Sequence, residues 1–289
     1  MTEPMILRVR LAAPIQAVRH ALTDAASLRV WLAEQAEVDL PRTYAFWGRY
    51  TPEGEAPHQR LLHVDDHTLR FNWLLDGEDT TVHIELQQEG ADSTILTLSQ
   101  THFDMQEALT ETTVRGVLYT FWALSLSNLA DHLEGRELTA RCDFTSAEMW
   151  AQFLIDASPE KVYDSLIDSD KASRWFGFPI GIEPWVGGRF AMGGLESAPP
   201  GVFAARIVAL EPGRTMSVDW GDNGIATWEL ENSNGQTRLT FVQSGFTTQR
   251  PPYAGWMGTL SGFAALRRFH EKNDWQPMWL EVAVGSLSS

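Results

Sequence analysis

The sequence predicts an α+β protein made of two tandem copies of one domain, each an antiparallel sheet packed against one long C-terminal helix. Three observations predict it. A shift of 144 positions lays Leu11 on Ile155, Ala13 on Ala157, Val18 on Val162, Leu22 on Leu166, Asp24 on Asp168 and Trp31 on Trp175 without a gap, which marks an internal repeat. Within each half, short segments alternate apolar and polar residues between turn residues, the period of strands with one buried face. Each half then closes on a segment of helical period. The copies are assigned to residues 1–138 and 139–289, ordinary sizes for domains with their own cores.

Composition narrows the function. The chain has 22 Lys and Arg against 38 Asp and Glu, a net charge of −16. A surface of that sign repels phosphate backbones and anionic headgroups, so neither nucleic acid nor membrane is an expected partner. The single cysteine, Cys142, excludes an internal disulfide and reads as a small structural residue. The opening MTEPMILRVRLAAP lacks a basic region followed by an apolar run, and no window approaches the ~18 apolar residues of a membrane span. The expectation is a soluble, cytoplasmic protein.

In the first copy Leu7, Val9 and Leu11 alternate with Arg8 and Arg10 as a strand with one buried face. Pro14 suits a first helical turn, Val18, Ala21 and Leu22 form a short apolar stripe ending near Asp24, and Leu28, Trp31 and Leu32 mark a second short helix. Strands follow from Val38 to Phe103, divided by turns at Asp76-Gly77 and at Glu89 to Asp92. Between Glu107 and Glu134 the period becomes helical: Leu118, Trp122, Leu126, Leu129 and Leu133 recur along one face, and Gly135 suits the C-terminal cap. The second copy repeats the order. A strand through Ala151, Phe153 and Ile155 precedes a helix entered through Ser158 as cap and Pro159, and Trp175-Phe176 ends a second short helix. VGGRF is a glycine-marked turn into a strand, further turns fall at Asp222 to Gly224 and at Asn234-Gly235, and Trp256, Leu260 and Phe263 begin the closing helix. The tail segment MWLEVAV has the composition of an extra strand.

The turns supply a register. A three-residue loop at Asp222 to Gly224 opposes Val218 to Trp228 and Met216 to Leu230, while Asn234-Gly235 opposes Trp228 to Phe241 and Leu230 to Leu239. One face then carries Met216, Val218, Trp220, Trp228, Leu230, Leu239 and Phe241; its counterpart carries Leu69, Phe71, Trp73, Ile84, Leu86, Leu96 and Leu98. So apolar a face has to be covered, and each copy offers one long apolar helix for it.

PEKVYDSLIDSDKASRWFG, GGRF, RIVALEPGRTMSVDW, ELENSNGQTRLTFVQSGF and the Gly-Trp that opens the last helix resemble the small bacterial proteins grouped as activator-of-heat-shock-protein-90-ATPase homologue-like, within the START-like (SRPBCC, birch-pollen-allergen-type) superfamily. The resemblance covers nearly all of residues 149 to 269; over residues 5 to 135 it rests on element order, spacing and the paired tryptophans. It implies a helix-grip fold in each copy, the sheet wrapped around the long helix with an apolar cavity between them.

No residue pattern has catalytic or metal-binding spacing. His63 and His67, in HVDDH between strand segments, do not stack as they would on a helix. Gly187-Gly188 and Gly193-Gly194 lack the strand-turn-helix of a dinucleotide site, and Asp65-Asp66 and Asp168/Asp170 read as turn and cap carboxylates. No cofactor and no metal are expected. The candidate ligand-binding residues are therefore the inward ones. Alternation places Gln100 and His102 beyond Leu96 and Leu98, and Gln243 beyond Phe241: polar groups at the end of an apolar face, the pattern that orients a small molecule. With them go Trp73, Ile84, Leu98 and Trp122 in the first copy, and Met216, Val218, Trp220, Trp228, Phe241, Trp256 and Leu260 in the second. The competing reading makes the polar residues strand ends that meet solvent and the tryptophans plain core.

The expected function is non-catalytic binding of a small hydrophobic molecule, as carrier or sensor. Two alternatives stand beside it. One is an enzyme of the cyclase, aromatase or hydrolase type that the superfamily includes, using the same cavity with His102 as its acid or base. The other is a chaperone-regulating or protein-interaction module, although the Asn-x-Asn-Asn-Trp-His-Trp motif of the eukaryotic co-chaperones does not occur in this sequence. Two fused copies are expected to act as a pseudo-dimer within a monomer, or as a weak homodimer.

Overall fold

The computed structural model describes residues 4–101, 114–198, 204–247 and 249–280. Its backbone separates into two compact units. One holds the described residues up to Thr145 together with Tyr253–Ser261 and those from Met278 onward; the other holds Ser146–Pro252 and Gly262–Pro277.

In the first unit β1 (Met5–Leu11) leads into two short helices, α1 (Ile15–Thr23) and α2 (Ala25–Trp31). Six strands follow, β2 (Gln35–Asp39), β3 (Thr43–Trp47), β4 (Gln59–Val64), β5 (Thr68–Leu75), β6 (Glu78–Gly90) and β7 (Ser93–Gln100), and then the long helix α3 (Leu118–Leu133). The main sheet has the order β1-β7-β6-β5-β4, and β2-β3 form a separate ribbon. Asp76 and Gly77 close the β5–β6 hairpin with φ of 53° and 72°, left-handed geometry that suits Asp-Gly. The whole expected inward set from Leu69 to Leu98 is buried. α3 is buried beyond its one expected stripe: Phe121, Leu124, Asn128 and Ala130 are covered as well. Part of the reason is the segment after it, where Asn128 exchanges two hydrogen bonds with the backbone of Thr139, at 2.9 and 3.0 Å.

The tail completes this sheet. Trp279 bridges antiparallel to Val9, Arg10 N–H donates to Met278 O at 2.8 Å, and Leu280 N–H donates to Arg8 O at 2.9 Å. The extra strand thus begins on the outer edge of β1; the rest of MWLEVAV lies outside the described residues.

The second copy repeats the order with β8 (Met149–Ile155), α4 (Pro159–Ile167), α5 (Ser169–Phe176), β9 (Ile180–Ile182), β10 (Arg189–Met192), β11 (Ala205–Glu211), β12 (Thr215–Asp219), β13 (Ile225–Ser233), β14 (Gln236–Gln243) and the helix α6 (Tyr253–Glu271), of which the residues from Gly262 on belong to the second unit. All seven strands form one sheet, β8-β14-β13-β12-β11-β10-β9. The α6 residue Phe263 packs on it, 4.9 Å from the Phe153 ring and 5.3 Å from Phe241. A Cβ at Gly262 would lie 2.9 Å from the Phe176 ring, so only glycine there lets α5 close on α6 without displacing that ring.

The duplication extends to individual hydrogen bonds. Trp31 Nε1 donates to Ala21 O at 3.0 Å, and Trp175 Nε1 donates to Ser165 O at 2.8 Å, each tying the two short helices together. Thr94 Oγ1 donates to Ala13 O and Thr237 Oγ1 to Ala157 O, at 2.8 and 2.7 Å. Asp24 and Asp168 cap α2 and α5 by accepting from Ser27 N and Lys171 N.

Two expectations need correction. Ser158 stands at the N-terminal position of α4, but its side chain makes no capping bond. In the β12–β13 hairpin Met216 opposes Trp228 and Val218 opposes Ala226, a slip of two residues from the expected pairing. The cause is the loop: Gly221–Asn223 coil into a 3-10 turn, closed by Trp220 N–H on Gly224 O, so Trp220 leaves the ladder. An even slip keeps every side chain on its face, which is why the inward set survives the error.

Candidate functional site

In the first copy the structure brings Trp73, Gln100 and Trp122 together. Trp122 Nε1 donates to Gln100 Oε1 at 2.6 Å, Gln100 Nε2 donates to Thr80 Oγ1 at 3.0 Å, and Thr80 Oγ1 donates to Trp73 O at 2.9 Å. All four residues are buried, and both ends of the carboxamide are occupied. Aromatic rings fill the surrounding space. The Trp73 ring lies 5.1 Å from Phe46, 5.6 Å from Phe121 and 6.1 Å from Trp122, each edge to face. Ile84 opposes Leu98 in the ladder. Burial pushes the nearby Tyr44 phenol well above its ordinary value of 10, as a dry interior should. The Trp73 indole N–H is buried with no hydrogen-bond partner among the described residues. Where α1 meets β5 and β6, a shallow cleft beside Leu22, Asp65 and Leu86 has room for about one water molecule. His102 lies outside the described residues.

In the second copy the same face is closed at its floor and open at one end. Trp228 pairs with Met216 on one side and Phe241 on the other, its ring meeting Phe241 edge to face at 5.0 Å. Val218 is buried beside them. Trp256 and Leu260 are buried as well, but in the Tyr253–Ser261 part of α6, which belongs to the first unit and not to this one. On β10 two inward residues are accessible, although Ile180 and Ile182 of β9, which they oppose, are buried. Phe190 opposes Ile182 and Ala205, and Met192 opposes Ile180, which places both on the inward face. Phe190 is nevertheless half-buried and Met192 is 42% exposed. Trp220, off the ladder, meets the Phe190 ring edge to face at 5.6 Å and is itself half-buried.

The polar side chains around this mouth brace its walls. Gln243, inward by alternation, donates its amide to Asn223 O at 2.9 Å and so holds the 3-10 turn. Arg250 donates to the carbonyls of Asp222 and Gly245. Gly224, at φ 74°, has Ser244 O where a Cβ would stand, 1.9 Å from its ideal position, so no other residue fits. On β10, Arg189 forms a two-pronged pair with Glu183 at 2.9 and 3.0 Å and also donates to Ala198 O. That guanidinium holds the Glu183 carboxyl down to about 2. The accessible surface between these braces, Phe190, Met192 and Trp220, is aromatic and thioether in character.

Other candidate chemistry is accounted for locally. Asp65 accepts from the backbone of His67 and Thr68 and from His63 Nε2, a turn carboxylate held down to about 2. Cys142 is buried, which pushes its thiol up, away from nucleophilic character. Among the described residues no three His, Cys, Asp or Glu side chains gather as a metal site, and no helix is long and apolar enough to cross a membrane.

Sequence reasoning missed Thr80, Phe190 and Met192. Thr80 was readable: a two-residue turn at Asp76-Gly77 puts it directly opposite Trp73. Phe190 and Met192 carry alternation past the VGGRF glycines, in a strand of only four residues that gives the period little room to show.

Comparison with known proteins agrees with this architecture. The family described as activator of Hsp90 ATPase homolog 1-like protein matches twice, at residues 12–134 and 156–267. No curated protein matches the chain. Among solved structures, a conserved protein of unknown function from Enterococcus faecalis is 25% identical over 46% of this chain and 75% of its own, with a TM-score of 0.37. A protein from Mesorhizobium loti is 27% identical over 44% of this chain and 99% of its own, with a TM-score of 0.37. DynU16, described as a putative protein in the dynemicin biosynthetic locus, is 17% identical over 92% of this chain and 95% of its own, with a TM-score of 0.40. Two family matches covering most of the sequence, on two helix-grip units that repeat each other's hydrogen bonds, show that the chain belongs to the activator of Hsp90 ATPase homolog 1-like family and carries its domain in tandem.

Proposed function

We propose that the second copy binds a small apolar molecule at the mouth formed by Phe190, Met192 and Trp220, and that it does so as a carrier or sensor. One observation supports this above the others: the inward face of the first copy is sealed by interlocked rings, whereas the inward face of the second leaves Phe190 and Trp220 half-buried and Met192 exposed. Apolar side chains turned toward a domain interior yet left wet gain free energy by losing that water, at roughly 25 cal/mol per Å² covered. The polar groups beside them already hold the walls, so recognition rests on shape and apolar contact. The first copy serves as a filled counterpart, its carboxamide and indole groups spent on each other.

Titration of the full chain with N-phenyl-1-naphthylamine, an uncharged apolar fluorophore that the net negative charge does not repel, tests the reading. Saturable binding at one site, with quenching of tryptophan emission that is lost in Trp220→Ala, is the expected result. Absence of saturable binding, or binding unchanged in Trp220→Ala, overturns it.

A further inference from the structure

The two copies treat equivalent sheet edges in opposite ways. In the first copy the outer edge of β1 is occupied: the outward groups of Arg8 and Arg10 bond Leu280 N and Met278 O. The repeat carries Arg8 onto Gln152 and Arg10 onto Leu154, so the outward-pointing backbone groups of β8 belong to Trp150, Gln152 and Leu154. β8 ends its sheet, and among the described residues no backbone bond reaches those groups. Only past the strand is the edge closed, where Asp156 N–H donates to Glu271 at 3.3 Å.

Proteins normally blunt such an edge with charge, proline or a bulge. β8, MWAQFLI, has none of these, and its register with β14 is unbroken. The covered strand β1, MILRVRL, is the one that carries two arginines. The outer face of β8 is apolar and wet as well, with Trp150 56% and Leu154 39% exposed, and Val242 exposed opposite Trp150.

We propose that β8 is the contact strand of a homodimer, pairing antiparallel with β8 of a second copy about a two-fold axis through Gln152. Three features select this occupant. An open edge bonds only an extended backbone, and the equivalent edge of β1 already holds an antiparallel segment of this same chain. A contact through one strand repeated on both partners must be self-complementary. Centred on Gln152, the pairing sets Trp150 against the partner's Leu154 and Leu154 against the partner's Trp150, while each exchanges both backbone bonds. Finally, two chains of charge −16 repel each other, and β8 is a seven-residue strand without a charge on which they can meet.

Sedimentation velocity over a concentration series of the full chain decides the matter. The expected result is reversible dimerisation of the 32.4 kDa chain. Gln152→Pro, which removes an outward N–H that the monomer does not use, abolishes the dimer with the circular dichroism spectrum unchanged. Trp150→Glu and Leu154→Lys each weaken it at least about tenfold. The double variant restores it, because the pairing sets the new carboxylate of one copy against the new ammonium group of the other. A chain that stays monomeric at every concentration, a dimer indifferent to Gln152→Pro, or no rescue in the double variant overturns the proposal.

Discussion

Trp122 and Gln100 share a 2.6 Å hydrogen bond in the dry interior of the first copy. Gln100→Leu orphans the indole N–H, and an unpaired buried donor costs about 1–3 kcal/mol. The unfolding free energy from urea titration should fall by that amount, through a lower midpoint with an unchanged slope. Trp122→Phe orphans the Gln100 carbonyl instead. Trp73→Phe removes similar volume but an N–H that already lacks a partner, so it should destabilise less than Trp122→Phe, by on the order of 1 kcal/mol. Equal losses from the two would show that the pairing contributes nothing.

At the mouth of the second copy, Phe190→Ala and Trp220→Ala should each lower apolar-dye affinity at least about tenfold. Because the rings touch, the double variant should lose less than the product of the two. Gln100→Leu should leave dye binding unchanged. Dye titration of the four variants beside the parent distinguishes a site in the second copy from one in the first.

Acid should destabilise the protein in a defined window. Arg189 holds Glu183, and Arg10 holds Glu89, at about 2 against an ordinary 4.5. A folded value below the unfolded one means that the stabilisation is complete above about pH 4.5 and is lost as pH falls toward 2. Both pairs are accessible to solvent, so the effect is modest and salt weakens it. Urea midpoints measured across this range should fall with pH, and Glu183→Gln should flatten the fall. A slope identical to the parent's would remove Glu183 from the account.

The tail pairing predicts a local signature. Leu280→Pro deletes the donor to Arg8 O, the bond that flanks the Val9–Trp279 bridge. Hydrogen exchange at the Arg10 amide, which donates to Met278 O, should speed up while exchange across β5 and β6 stays slow. Equal exchange at Arg10 in both proteins would mean that the bond is not kept in solution.

The parts of this architecture that are readable in the sequence are those set by short-range rules. Asp76-Gly77 and Asn234-Gly235 each fix a two-residue hairpin, and alternation from them orders the inward residues of both sheets. Leu11 to Trp31 recurs as Ile155 to Trp175, so one motif explains both pairs of short helices. What escapes depends on contacts distant in sequence. Gln100 reads as a group that orients a ligand, or as a solvated strand end, because nothing local says that Trp122, 22 residues on, reaches back to it. Asp222-Asn223-Gly224 reads as a tight loop that keeps Trp220 on the ladder, whereas Gln243 and Arg250 hold a wider one from beyond the next hairpin. The mouth residue Phe190 is hidden for a related reason: its exposure follows from what fails to cover it.

The bridge between Val9 and Trp279 also bears on biosynthesis. A ribosome releases β1 about 270 residues before Met278–Leu280, so the nascent first copy waits with its outer rung open while the whole second copy is being made. Folding of this duplicated protein therefore cannot finish copy by copy in the order of translation. A gene cut between the repeats would leave the upstream product with an unfilled edge, and its downstream partner with a strand that has nothing to join.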